Sequence, residues 1–158
     1  MRYSWIPGAN ALHLATCWHI KSLAHFLDVD PDHNLKNIGT DNQFTPLHVA
    51  VAIDDDTTAA GLLIKKKADV RAEDSAGQTA LHIAAQCGSH DNVMVLLFEG
   101  NSDVMAIDKN NKTSLHHAKT VKTLDILLNK CQPNELSKID ELSRKVRRSQ
   151  KFSLLNFA

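Results

Sequence analysis

Nine histidines and three cysteines in 158 residues are the side chains best able to do chemistry in this sequence. Imidazoles and thiolates bind zinc, and a cysteine or serine beside a histidine can make a nucleophile. The spacing argues against both. His13, His48, His82 and His116 each follow a leucine, and they are separated by 35, 34 and 34 residues. Packed helices lie about 8–10 Å apart, whereas zinc ligands must meet within about 2 Å of one ion, so a ladder of that kind shares no metal. His116 and His117 are adjacent rather than one turn apart, and no cysteine is near them. Cys87 precedes Gly88 at a predicted helix C-terminus, where the dipole disfavours thiolate. No glycine-rich phosphate loop, HExxH or GxSxG is present. The expectation is a chain with no catalysis, metal or cofactor.

The recurrence is therefore to be explained by the elements that carry it. In the clearest copy, "DSAGQT" is turn chemistry with Gly77 free to take positive φ. "ALHIAAQCG" places Leu81, Ile83 and Ala84 at helical spacing, with Gly88 as a left-handed C-cap and Ser89 as the next N-cap. "DNVMVLLFEG" puts Val93, Leu96 and Leu97 on one face of a second helix, closed by Gly100. A turn and two short helices cannot bury their apolar faces alone, so neighbouring units must stack. A threonine at the helix start and a histidine one turn later can hydrogen-bond locally and to the adjoining turn.

These residues resemble the ankyrin repeat family, whose T-P-L-H-x-A signature reads "TPLHVA" at 45–50 and "TALHIA" at 79–84, with looser forms "NALHLA" at 10–15 and "TSLHHA" at 113–118. The resemblance implies an all-α solenoid of helix-turn-helix units joined by β-hairpin or finger turns. Repeats are expected at about 8–40, 41–73, 74–107 and 108–131 within a domain over 1–132, followed by a C-terminal segment over 133–158. It also implies a non-catalytic module, an adaptor, scaffold or inhibitor, that binds another protein or peptide through its concave surface. Carried over position by position, the finger contacts are Asp41, Asn42 and Phe44, then Ser75, Ala76 and Gln78, then Lys109, Asn110 and Lys112. The first-helix contacts are Cys17, Trp18, Ala52, Ile53, Gln86 and Cys87. Phe44 and Trp18 are the expected anchors, because aromatics dominate interface energetics.

"NLKNIGTDNQFTPLHVAV" is similar to the early repeats of the inhibitor-of-NF-κB family, which implies a regulator of a transcription factor. The same repeats would also serve as the targeting part of a larger enzyme or membrane protein, whose first unit would then expose an apolar edge around Leu14 and Leu23.

Several departures carry their own expectations. Asn10 replaces the first threonine, and Trp5 and Trp18 would cover that unit's open face. The interval from Asp32 to Thr45 exceeds that from Asp103 to Thr113 by three residues, which predicts a longer, bulged finger. Gln43 and Asn111 stand where Gly77 stands, and glutamine tolerates positive φ poorly. Asp54–Asp56 and Lys65–Lys67 flank a second helix in the sense that suits its dipole. The fourth unit is one turn short. Asn134 begins a capping helix with Leu136, Ile139, Leu142 and Val146 on one face, and the tail from 144 to 151 carries five basic residues.

Eighteen acidic residues balance eighteen basic ones, so no global field draws the chain to nucleic acid. The odd, scattered cysteines argue against a disulfide scaffold and fit a reducing cytoplasmic or nuclear compartment. No window is long and apolar enough to span a membrane, and the expected form is a monomer.

Overall fold

A computed structural model describes residues 7–18, 20–29, 38–53, 57–132 and 135–144, without the side chains of 18 and 20–22. The helices are α1 (Ala11–Trp18), α2 (Ile20–Val29), α3 (Pro46–Ile53), α4 (Thr58–Lys65), α5 (Ala80–Cys87), α6 (His90–Phe98), α7 (Ser114–His117) and α8 (Val121–Lys130). A further helix, α9, runs over 135–144. No strand occurs among the described residues, and the fold is an all-α repeat solenoid.

Two rows of helices are stacked side by side. The first helices α1, α3, α5 and α7 contact one another in order, and so do the second helices α2, α4, α6 and α8. One continuous core runs between the rows. The recurring Leu12, Leu47, Leu81 and Leu115 are all buried in it, beside Leu23, Leu27, Leu63, Leu96, Leu97 and Leu127 from the second helices. Ala50, Ala60, Ala84 and Ala85 are equally buried, and their small size lets adjacent helices approach. No unit could bury this surface alone, so each depends on its neighbours.

The local signals end the helices largely as the sequence predicts. Gly88 takes φ 79° as the left-handed C-cap of α5, and Ser89 is the N-cap of α6. Gly100 behaves differently: α6 stops at Phe98, Glu99 is its cap, and the left-handed residue is Asn101 at φ 50°. Gly100 instead permits close approach, since a Cβ there would lie 2.8 Å from the Leu96 carbonyl oxygen. The abbreviated fourth unit is real, with α7 only four residues long against eight for α5. The Lys119 N–H reaches back to the Ala85 carbonyl at 3.1 Å and closes the shortened unit onto α5.

Ile139 of α9 packs against the core, whereas Leu136 is 48% exposed, so the expected apolar stripe of this helix is narrower than its spacing suggests. Trp5, Asp54–Asp56, Asn134, Val146 and the basic tail beyond Arg144 lie outside the described residues, as does the Trp18 side chain.

Candidate functional site

The first helices α3, α5 and α7 begin with the same device. The Thr79 N–H donates to His82 Nδ1 at 3.1 Å, the Thr113 N–H to His116 Nδ1 at 3.1 Å, and the Thr45 N–H to His48 Nδ1 at 3.2 Å. The first unit departs from this: the Asn10 N–H lies 3.2 Å from His13 Nδ1, but Asn10 Oδ1, which can only accept, is nearer at 2.7 Å. With Nδ1 accepting, as at His48, His82 and His116, the proton of a neutral ring resides on Nε2. That nitrogen points into the next unit: His48 Nε2 donates to the Gln78 carbonyl at 3.0 Å and His82 Nε2 to that of Lys112 at 3.2 Å, and His13 Nε2 lies 2.7 Å from the Phe44 carbonyl. At the end of the row His116 Nε2 donates to the Ser143 hydroxyl of α9 at 3.0 Å. In all four rings Nδ1 serves the unit's own helix cap, and Nε2 reaches the next element.

At His48, His82 and His116, protonating Nδ1 would set a donor against a backbone donor. Burial also disfavours the charged ring, and it holds His13, His48, His82 and His116 below the ordinary imidazole value. Carbonyl hydrogen bonds oppose that effect at His13, His48 and His82 without overcoming it. Burial likewise raises the Cys17 and Cys131 thiols, which disfavours the nucleophilic thiolate.

The finger turns repeat as closely. Asp74 Oδ1 accepts the N–H groups of Ala76 and Gln78, both at 2.8 Å, and Asp108 Oδ1 accepts those of Asn110 and Lys112 at 2.8 and 2.9 Å. In the second unit the Thr40 hydroxyl takes this place and accepts the Phe44 N–H at 3.2 Å. Gln43, Gly77 and Asn111 all sit at positive φ, 60°, 75° and 59°. Glutamine therefore adopts the left-handed conformation despite its side chain. The described tip Thr40–Phe44 closes with the same bonds as Asp74–Gln78 and carries no bulge; the additional residues of this interval fall among 30–37, outside the described residues. Gly39 is needed beneath it, because a Cβ would lie 2.6 Å from the Gln43 Cα.

Neighbouring tips are joined chiefly by main-chain bonds. The Asp41 N–H donates to the Pro7 carbonyl at 3.1 Å, Ser75 to Asn42 at 2.9 Å and Lys109 to Ala76 at 3.0 Å. The Lys109 ammonium also reaches the Ser75 carbonyl at 2.7 Å.

The residues expected to make partner contacts divide into two sets on this frame. Asp41, Asn42, Ser75, Lys109 and Asn110 are exposed at the tips, and Ala52, Ile53, Gln86 and Cys87 are exposed at the ends of α3 and α5. Phe44, Gln78 and Lys112 stand instead at the descending base of each finger, half-buried, with their carbonyls serving the histidines. The Phe44 ring lies 5.5 Å from that of His48 and packs against the core, so it is built into the frame rather than projecting from it. Ala76 and Cys17 are also half-buried. Leu14 is 44% exposed, but Leu23 is fully buried.

Two contacts escaped the sequence reading. Ser143 carries no distinguishing signal in the sequence, and only the fold brings it to His116. His117 Nε2 donates to Asp108 Oδ2 at 2.9 Å. Burial pushes the Asp108 carboxyl up, but the N–H groups of Lys112 and Asn110 and the His117 ring together hold it below the usual carboxylate range. The doubled histidine of "SLHHA" was the available signal, since one imidazole builds the cap and the other is left for the turn.

An all-α stack of paired helices, tied by a histidine ladder and a row of finger turns, defines a helical repeat protein. The model of the ankyrin repeat family, in three copies, matches residues 51–137, more than half of the 158 residues, and the chain belongs to that family. Such repeats are generally protein–protein interaction modules, and the family is typically non-catalytic. No curated protein matches the chain. No helix among the described residues is long and apolar enough to cross a membrane.

Proposed function

We propose that the chain is a non-catalytic binding module that holds a protein partner along the finger tips and the exposed ends of its first helices. The observation that carries this reading is the backbone wiring of the fingers. Because main-chain bonds link tip to tip, the side chains of Asp41, Asn42, Ser75 and Asn110 are presented in a fixed row. A preorganised surface loses little conformational entropy when a partner arrives. Ile53, 39% exposed at the C-terminal end of α3, offers an apolar contact on the first-helix row. Asp41 lies at one end and Lys109 and Lys112 at the other, a polarity that would orient the partner.

Affinity capture from the source cell with the wild-type chain and an Ile53→Asp/Lys109→Glu variant tests the placement. Partners should be lost from a variant that stays folded, the Lys109 bond to the Ser75 carbonyl being the one structural contact given up. Equal retention by both proteins would sink it.

A further inference from the structure

A second surface lies on the opposite row of helices. Between α4 and α6 runs an open groove of about 760 Å³, with Ile64, Val70 and Val95 among its apolar walls. That volume is within the range of clefts that accept ligands, about 300–1,000 Å³. Its form depends on Gly61, which sits mid-helix in α4. A glycine there costs about 1 kcal/mol relative to alanine, and packing does not require it. A Cβ at Gly61 would meet nothing nearer than Glu99 Oε2 at 3.9 Å. One period later the third unit has Val95. The second unit thus keeps a notch that its own fold leaves unfilled.

The charges around the groove indicate what suits it. Lys66 is paired with Asp28. Lys65 and Lys67 line the groove at the C-terminal end of α4, both exposed, and neither forms an ion pair among the described residues. Glu99 stands on the facing wall, so two cations oppose one anion. The chain's own tail, with five basic residues over 144–151, has the wrong sign for that end.

We infer that the groove between α4 and α6 docks an acidic segment of a partner protein, with an apolar side chain seated over Gly61 and a carboxylate against Lys65 and Lys67. This surface is separate from the finger tips, so the Ile53→Asp/Lys109→Glu variant should bind such a segment unchanged.

The test is selection of short random peptides on phage against the full chain, followed by fluorescence anisotropy with the selected sequences. Peptides combining an apolar residue with aspartate or glutamate should emerge, and their binding should weaken as salt is raised. Gly61→Val should lower their affinity at least about tenfold while melting no lower than wild type, because the space for a side chain exists. Lys65→Glu/Lys67→Glu, a change confined to exposed residues, should weaken binding comparably and decides the matter if Gly61→Val folds poorly. Selected peptides without acidic residues, or affinities unaffected by the lysine changes, would overturn the inference. So would a synthetic peptide of residues 145–158 that binds wild type but not Gly61→Val, which would assign the groove to the chain's own tail. A dimer in sedimentation that Gly61→Val dissociates would assign it to a second copy.

Discussion

The third and fourth units solve one problem with different parts. In the third, α5 has its full length, ends in Gly88, and His82 is received by a main-chain carbonyl of the following finger. In the fourth, α7 is a single turn, ends at Ala118, and His116 is received by the Ser143 side chain. Ser143 stands where another finger would present its backbone, and its own hydroxyl donates onward to the Ile139 carbonyl at 2.8 Å. An internal junction therefore rests on atoms that every residue possesses. In the terminal junction the histidine's acceptor is one hydroxyl, beside the packing of Ile139.

The largest effect that separates the two is loss of the ring itself. His82→Ala removes a fully enclosed side chain and orphans groups at both ends, and should cost about 2–4 kcal/mol. His116, partly exposed, should cost no more than about half of that on the same change. Urea denaturation of both variants checks the ranking, and equal losses would erase the distinction between the junctions.

Next comes acid. The four ladder histidines have folded-state pKa values lowered below 6.5, so between their folded values and 6.5 the unfolded chain binds more protons than the folded one. Their contribution is fully present above pH 6.5 and is lost as pH falls through the folded values. Asp108, lowered from 3.8, adds its own loss only in more acidic solution. Melting temperature followed from pH 7.5 downward should decline first in the histidine window. A flat profile through pH 5 would contradict the neutral ladder.

The threonine–histidine boxes and the left-handed Gly88 were legible in the sequence because each is a local event within one unit, and the period and the missing turn because the copies can be compared position by position. Ser143 and the notch at Gly61 were not, because each acquires meaning only from an atom many residues away; Gly39 was missed because its need comes from how the finger closes over Gln43. Phe44 shows the same limit from the other side. Its type suggested an anchor for a partner, and its position made it part of the finger base.

A smaller effect sharpens the contrast between junctions. Ser143→Ala leaves the His116 N–H without its acceptor and should lower stability by about 1 kcal/mol. Lys112→Ala keeps the carbonyl that receives His82 and should fall within about 0.5 kcal/mol of wild type. Equal losses in denaturant titrations would show that the fourth junction is held in some other way. Smallest, and opposite in sign, is Gln43→Gly, which relieves a left-handed glutamine and should raise stability by about 0.5–1 kcal/mol. An unchanged unfolding midpoint would mean that the turn accommodates glutamine without strain.

The backbone wiring of the finger tips has an evolutionary corollary. Since main-chain bonds join successive tips, with the Lys109 side chain the exception, the other tip positions can be rewritten with little risk to folding. Recognition can then drift toward a new target while the architecture beneath it stays put.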